Sequence, residues 1–278
     1  MKEVRTSDKP LFDKGENSSK GNQAKWNIGD YWYKADQFGH ESLSEVICSK
    51  VLEHSNYTHN VLIYDFARID VHDKILRGCA SREFKINDEK LIPLERLHRI
   101  HTGFSLTKTI AKFSSVKERI KYTVEFVENV TGIIDFGEYL TVMLEMDALF
   151  FNEDRHLNNI SLLYSTDTAK YRFSPYYDMG LACFSDTRID FPFELDYFAC
   201  EEKIKAKPFS LYFDEQLDAA TALYGDHLKF DISKSELLKV FDQVTSTADV
   251  VNTYSKEEFT RVYDVLRYQA TKYSYMFC

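Results

Sequence analysis

The sequence predicts an α+β chain of two lobes, a small β-rich lobe over residues 1–84 and a larger helical lobe over 85–278. Three observations carry this. Short aromatic and β-branched runs crowd the first part of the chain around a single helical pattern. From about Ser114 onward, helix-starting signals of the form Ser-x-x-Glu recur. Residues 136–151 (FGEYLTVMLEMDALFF) are apolar nearly all round, which marks a helix buried among other helices.

Taken in order, residues 30–36 (DYWYKAD) read as an aromatic-rich strand. Residues 40–55 (HESLSEVICSKVLEHS) set Leu43, Val46, Ile47 and Val51 on one helical face. Residues 60–69 (NVLIYDFARI) and 74–86 (KILRGCASREFKI) read as further strands. A helix over 114–132 opens with a capping box, Ser115 with Glu118, and stops at Gly132. After the apolar helix comes a polar loop, NEDRHLNN, then two short runs, ISLLYS and YRFSP, around the turn TDTAK. That pattern is a β-hairpin. Two helices close the chain, each with its own capping box, Ser233/Glu236 and Ser255/Glu258. The cleft between two such lobes is a natural ligand site.

Composition narrows the function classes. With 44% apolar and 28% charged residues the chain reads as soluble and globular rather than disordered. A net charge of −9 argues against direct nucleic-acid binding, which needs a basic surface to meet phosphates. The five cysteines, Cys48, Cys79, Cys183, Cys200 and Cys278, are scattered without a C-x-x-C pair, so neither a zinc site nor a redox motif is expected. The start of the chain is charged and lacks the apolar core of a secretory signal. The most apolar run is interrupted by Glu145 and Asp147 and is too short for a bilayer. A cytoplasmic protein with no membrane partner is the expectation.

The chemistry concentrates at the hairpin. A hairpin returns to its start, so Asn159, before its first strand, should neighbour Asp178, after its second, with Asp154 at the other end of the same loop. Phosphoryl transfer uses such a set. One aspartate takes the proton of the attacking hydroxyl, while an amide and a second aspartate hold Mg²⁺ on the nucleotide phosphates. The spacing of Asp154 to Asn159, followed by Asp178-Met-Gly180, matches the catalytic loop and Asp-x-Gly of protein kinases. Taken alone, Asp154 and Arg155 read as a surface ion pair or a turn cap, and Asn159 as a hairpin cap. The combination in register is what points to chemistry.

The segments NEDRHLNNISLL and YRFSPYYDMG resemble the HipA-like kinases, including their small bacterial CtkA-type serine/threonine members, whose signature runs N-x-D-R-H-x-x-N, a strand pair, then S/T-P-x-Y-D. The resemblance covers about thirty residues directly. It implies a bilobal kinase-like fold using ATP and Mg²⁺. It makes Asp154 the catalytic base, Asn159 and Asp178 the Mg²⁺ ligands, and His156 a brace for the loop. It also makes Lys34 the ATP-positioning lysine and Glu45 its helix partner, with Glu41 as competitor. Residues 17–26 (NSSKGNQAKW) resemble the family's phosphate loop, so that Ser18, Ser19, Gly21, Asn22 and Gln23 would meet the phosphates, although Gly21 is the single glycine and no G-x-G-x-x-G is present. Cys79, Ser81, Glu83 and Phe84 would form the adenine hinge. A protein substrate, an antitoxin-like or regulatory partner, and autophosphorylation at Ser18 or Ser19 are implied as well.

Plainer readings stand beside these. Lys34 fits an edge-strand lysine. Glu45 fits the last position of a capping box that begins at Ser42. Lys203, Lys205 and Lys207 read as a solvated basic face. The expected function is an ATP- and Mg²⁺-dependent protein kinase, with two alternatives: a nucleotide-binding pseudokinase acting as an interaction module, and a kinase-fold enzyme acting on a small molecule.

Overall fold

A computed structural model describes residues 1–6, 23–86 and 88–278. The first strands are β1 (Lys2–Thr6), β2 (Lys25–Ile28) and β3 (Tyr31–Ala35), followed by helix α1 (Glu41–Leu52) and strands β4 (Tyr64–Val71) and β5 (Lys74–Arg82). Next come β6 (Glu89–Pro93), α2 (Leu94–Thr102), α3 (Leu106–Ile110), α4 (Val116–Thr131) and α5 (Phe136–Phe150). The hairpin β7 (Ser161–Ser165) and β8 (Lys170–Phe173) follows. The helices α6 (Tyr197–Lys203), α7 (Phe213–Tyr224), α8 (Lys234–Thr245), α9 (Ala248–Val251) and α10 (Lys256–Lys272) complete the chain.

These elements gather into two compact units. One comprises Met1–Glu83, Tyr177–Ile204 and Lys229–Cys278; the other comprises Phe84–Tyr176 and Lys205–Leu228. The expected lobes are each continuous in sequence. The units are not, because the chain leaves the first at Glu83 and re-enters it twice.

The first unit is built on a five-stranded sheet in the order β1-β4-β5-β3-β2. Only the β1–β4 pairing is parallel; the others are antiparallel. Strands β4 and β5 are joined by the two-residue turn His72-Asp73, both residues left-handed, as a tight hairpin requires. One face of the sheet closes over Trp26, Tyr33, Ala35, Ala67, Ile69 and Ala80. Helix α1 packs on β4 and β5 and is buried almost all round. The sequence pattern shows only one apolar face. The polar residues of the other face, Ser42, Ser44 and Glu45, are also buried, each with a hydrogen-bond partner. Strands β1 and β2 carry no clear signal in the sequence. Lys2 and Arg5 of β1 are held beside β4 by Asp65 and Asp70. Strand β2 takes Lys25 and Trp26 from the stretch expected to be loop. Both C-terminal capping boxes form as expected, at the starts of α8 and α10.

The second unit pairs an antiparallel sheet, β6-β7-β8, with α2–α5 and α7. The capping box at Ser115 and the left-handed Gly132 bound α4 as expected. Helix α5 is buried on every side and packs against α4 and α7. Gly137 makes the α7 approach possible, since a Cβ there would lie 2.4 Å from the Tyr224 ring. The hairpin is fixed to α5 by stacked rings, Tyr139 on Phe173 at 4.6 Å and on Tyr176 at 4.8 Å. Among the described residues, no helix is long and apolar enough to cross a membrane.

Candidate active site

Lys34 lies on β3, paired with Lys25 of β2 on one side and Cys79 of β5 on the other. It is therefore an interior-strand lysine and not an edge one. Its ammonium is 2.6 Å from Glu45 Oε1 and 2.8 Å from Asp178 Oδ1, with the Tyr64 hydroxyl at 3.5 Å. Glu45 is closed to solvent and the Lys34 side chain is 14% exposed. Burial pulls the Lys34 pKa down, but Asp178 and Glu45 outweigh it and hold the ammonium well above its ordinary value. Burial pushes Glu45 above the usual carboxylate range, with Lys34 pulling the other way and Asp178 adding to the rise. One cation thus holds two carboxylates together.

Glu45 does more than pair with the lysine. Its Oε2 accepts the Met179 backbone N–H at 2.9 Å, so a single carboxylate links Lys34 to the backbone beside Asp178. Asp178 itself is left-handed, φ 67°, a conformation that aspartate tolerates better than most residues. The alternatives for this glutamate do not form. Ser42 lies inside α1, donates its N–H to Asp36 Oδ1 and bonds the Tyr254 hydroxyl, so it caps nothing toward Glu45. Glu41 accepts three backbone N–H groups, from Gln37, Phe38 and Gly39, at 2.6–2.9 Å. It closes the turn into α1 and is not the lysine's partner. Gly39 must be a glycine there, because a Cβ would lie 2.0 Å from the Ser185 carbonyl oxygen.

The second group of predicted residues lies in the other unit, on the loop after α5. Phe151 ends that helix in the left-handed region, φ 53°, and turns the chain into the loop. Asp147 of α5 then anchors it. Arg155 Nε is 2.9 Å from Asp147 Oδ2, and Asn152 Nδ2 donates to Asp147 Oδ1 at 2.8 Å. Arg155 also donates to the Asn159 carbonyl at 3.3 Å. The surface ion pair between Asp154 and Arg155 is therefore absent: Arg155 points inward, to Asp147.

The buried anchor leaves Asp154 at the loop's outer turn, partly exposed. Asn159 Nδ2 donates to the Asp154 carbonyl at 2.8 Å and lies 3.5 Å from its Oδ2. That commitment of the amide nitrogen turns Asn159 Oδ1 away as an oxygen donor. Lys207 Nζ is 3.1 Å from Asp154 Oδ1. His156 Nδ1 accepts the Asn158 N–H, which puts the proton of the neutral ring on Nε2, 3.7 Å from Asp154 Oδ2.

The structure thus brings together Lys34, Glu45 and Asp178 in one unit, and Asp154 with Asn159 in the other. Ser18, Ser19, Gly21 and Asn22 lie outside the described residues. Gln23 donates its side-chain amide to the Ala35 carbonyl at 2.8 Å. Of the expected hinge, Cys79 and Ser81 are buried within β5, Glu83 accepts the Trp32 indole N–H at 2.8 Å, and Phe84 begins the second unit. Each of the three lysines has a partner: Lys203 donates to the Asp190 carbonyl, Lys205 lies over the Tyr212 ring, and Lys207 meets Asp154. Lys207 and Asp147 escape a sequence reading. Lys207 is far along the chain from Asp154, and the one hint for Asp147 is a charge inside an apolar helix.

As candidate oxygen donors to a divalent cation, Asp178 of the first unit carries a carboxylate and Asn159 of the second an amide oxygen. Among the described residues no three His, Cys, Asp or Glu side chains gather as a metal site. Each of these two donors is a hard oxygen, and Mg²⁺ binds through one or two such protein oxygens and completes its shell with water and phosphate. The donor chemistry fits that ion and not zinc.

No protein-family model and no curated protein matches the chain. Solved structures do. The chain is similar to the Helicobacter pylori proinflammatory kinase CtkA at 16% identity and a TM-score of 0.59, over 97% of this chain and 95% of that one. It is also similar to HipA of Shewanella oneidensis MR-1, in a structure with HipB and its operator DNA. That match has 14% identity and a TM-score of 0.52, over 98% of this chain and 67% of that one. These likenesses show the fold. It is an α+β, bilobal, protein-kinase-like architecture of the CtkA and HipA type, with a small β-rich N-lobe and a larger helical C-lobe.

Proposed function

We propose that this chain is an ATP- and Mg²⁺-dependent phosphotransferase, and specifically a HipA-like serine/threonine protein kinase. The observation that carries the reading is the Lys34 ammonium shared by Glu45 and Asp178. A strand lysine paired with a helix glutamate is the device that protein kinases use to position nucleotide phosphates, and it must be assembled for activity. A protein that served only to bind a partner has no need to bury the Lys34–Glu45 pair against a third charge, Asp178.

In this reading each side chain has one task. Lys34 holds the α- and β-phosphates, steadied by Glu45. Asp178 and Asn159 would each offer an oxygen to the metal. When bound, Mg²⁺ supplies positive charge against the phosphate oxygens. Asp154 receives the acceptor hydroxyl and takes its proton as the oxygen–phosphorus bond forms. The Asp147–Arg155 anchor keeps that loop from yielding, as a site that works by positioning requires. Serine or threonine of a protein is the acceptor class, and Ser18 and Ser19 of this chain are the candidate sites of autophosphorylation. A regulatory partner of the antitoxin kind belongs to the same reading, supported by the likeness in fold to HipA.

Thermal melts with and without Mg-ATP test the site. Wild type should gain stability with ligand, as binding to the folded state demands. Asp178→Asn should lose most of that gain, measured against its own melt without ligand. An equal shift in wild type and variant would remove Asp178 from the site.

A further inference from the structure

We infer that Lys207 is a catalytic residue of this site, its ammonium contacting the phosphoryl group in transfer; this rests on the phosphotransferase reading above. The starting point is the uneven dress of the Asp154 carboxylate. Oδ1 has a charged donor, Lys207 Nζ, at 3.1 Å. Among the described residues Oδ2 has only long contacts, Asn159 Nδ2 at 3.5 Å and His156 Nε2 at 3.7 Å. The His156 Nε2 is buried and makes no hydrogen bond. Oδ2 is therefore the oxygen prepared to accept a hydroxyl, while Oδ1 is held by the lysine.

Geometry then limits where the phosphorus lies. The acceptor hydroxyl must sit within hydrogen-bond distance of Oδ2, and the reacting phosphorus about 3–3.5 Å beyond its oxygen. When the phosphoryl group lies on the Oδ1 side of that hydroxyl, it faces the Lys207 ammonium. In the transfer, the acceptor oxygen bonds to the γ-phosphorus as the bond from phosphorus to the bridging β–γ oxygen breaks. The electron pair of that bond leaves with ADP, and the hydroxyl proton passes to Asp154. Lys207 stays protonated throughout and offsets the negative charge that spreads over the equatorial oxygens.

The backbone carrying Lys207 is built to hold it still. Its neighbours Ala206 and Phe209 are fully buried. Ala206 donates its N–H to the Leu211 carbonyl at 2.9 Å, and the Phe209 carbonyl accepts Arg119 Nη1 at 2.8 Å. A lysine that merely coated the surface would need neither staple. Its side chain remains 34% exposed, so a ligand can reach it.

The test compares wild type with Lys207→Met and Lys207→Arg on the full chain. Autophosphorylation and release of labelled phosphate from γ-labelled ATP are followed at saturating Mg-ATP, with Mg-ADP binding measured by titration calorimetry. Lys207→Met should lower the saturated rate by about 100-fold, the scale of one lost charge-stabilising donor. Its affinity for Mg-ADP, which has no γ-phosphoryl, should match wild type, and Lys207→Arg should restore much of the rate. A Lys207→Met rate equal to wild type overturns the inference. So does a slow variant whose Mg-ADP binding is weakened in proportion, since that marks a structural role. A wild type that transfers no phosphate at all instead refutes the phosphotransferase reading, and this inference with it.

Discussion

Arg155 and Asp147 form an ion pair with the two side chains 1% and 0% exposed, 2.9 Å apart, between the catalytic-loop candidate and the helix before it. Burial pushes the Asp147 carboxyl above its usual range, and Arg155 pulls it back. Removing one partner strands the other charge away from water. Arg155→Leu should therefore cost about 3–5 kcal/mol of stability, read from urea unfolding midpoints. Replacing both residues by leucine should recover part of that loss. A single variant that unfolds at the wild-type midpoint would mean the pair does not anchor the loop.

Lys34 and Glu45 should behave as one unit in a double-mutant cycle. Lys34→Met leaves two carboxylates facing each other, and Glu45→Gln removes one of two charges that steady the ammonium. Each change should destabilise the chain, and the double variant should be less destabilised than the sum. The coupling should fall in the range of about 0.5–3 kcal/mol typical of contacting pairs. Strict additivity in the unfolding curves would show that the two side chains do not share a stabilising contact.

His40 gives the fold a dependence on pH. It is fully buried, with Nε2 3.3 Å from the Cys183 carbonyl oxygen. Burial lowers its pKa to about 4 from the ordinary 6.5, against the pull of Glu258. A base depressed in the folded state is protonated first in the unfolded chain. Its contribution is thus fully present above about 6.5 and is lost as pH falls toward 4. Unfolding in that window should take up about one proton through this group. His40→Asn should flatten the stability–pH slope there by the same amount. A slope identical to wild type would place the titration elsewhere.

Much of this was legible in the sequence, and the reason is local. Capping boxes at Ser115, Ser233 and Ser255 are contained within four residues, and all three form. The hairpin and the apolar helix α5 are likewise set by short-range patterns. The unread parts depend on distant contacts. Strand β1 is charged and becomes a strand by pairing with β4, over sixty positions away. Glu41 and Glu45 lie one turn apart on the same helix. Only their surroundings, a turn of backbone N–H groups for one and a lysine for the other, separate their roles. Lys207 reaches Asp154 across 53 positions, and no periodicity encodes such a meeting.

In the proposed reaction Asp154 serves as the base of the phosphotransfer and takes no part in nucleotide binding. Asp154→Ala, compared with wild type for label transfer from γ-labelled ATP and for Mg-ATP affinity, tests it most directly. Transfer should be at least about 100-fold slower in the variant, with Mg-ATP bound nearly as tightly as by wild type. Equal transfer by the two proteins, or a wild type that binds Mg-ATP yet transfers nothing to any protein serine or threonine, would contradict it.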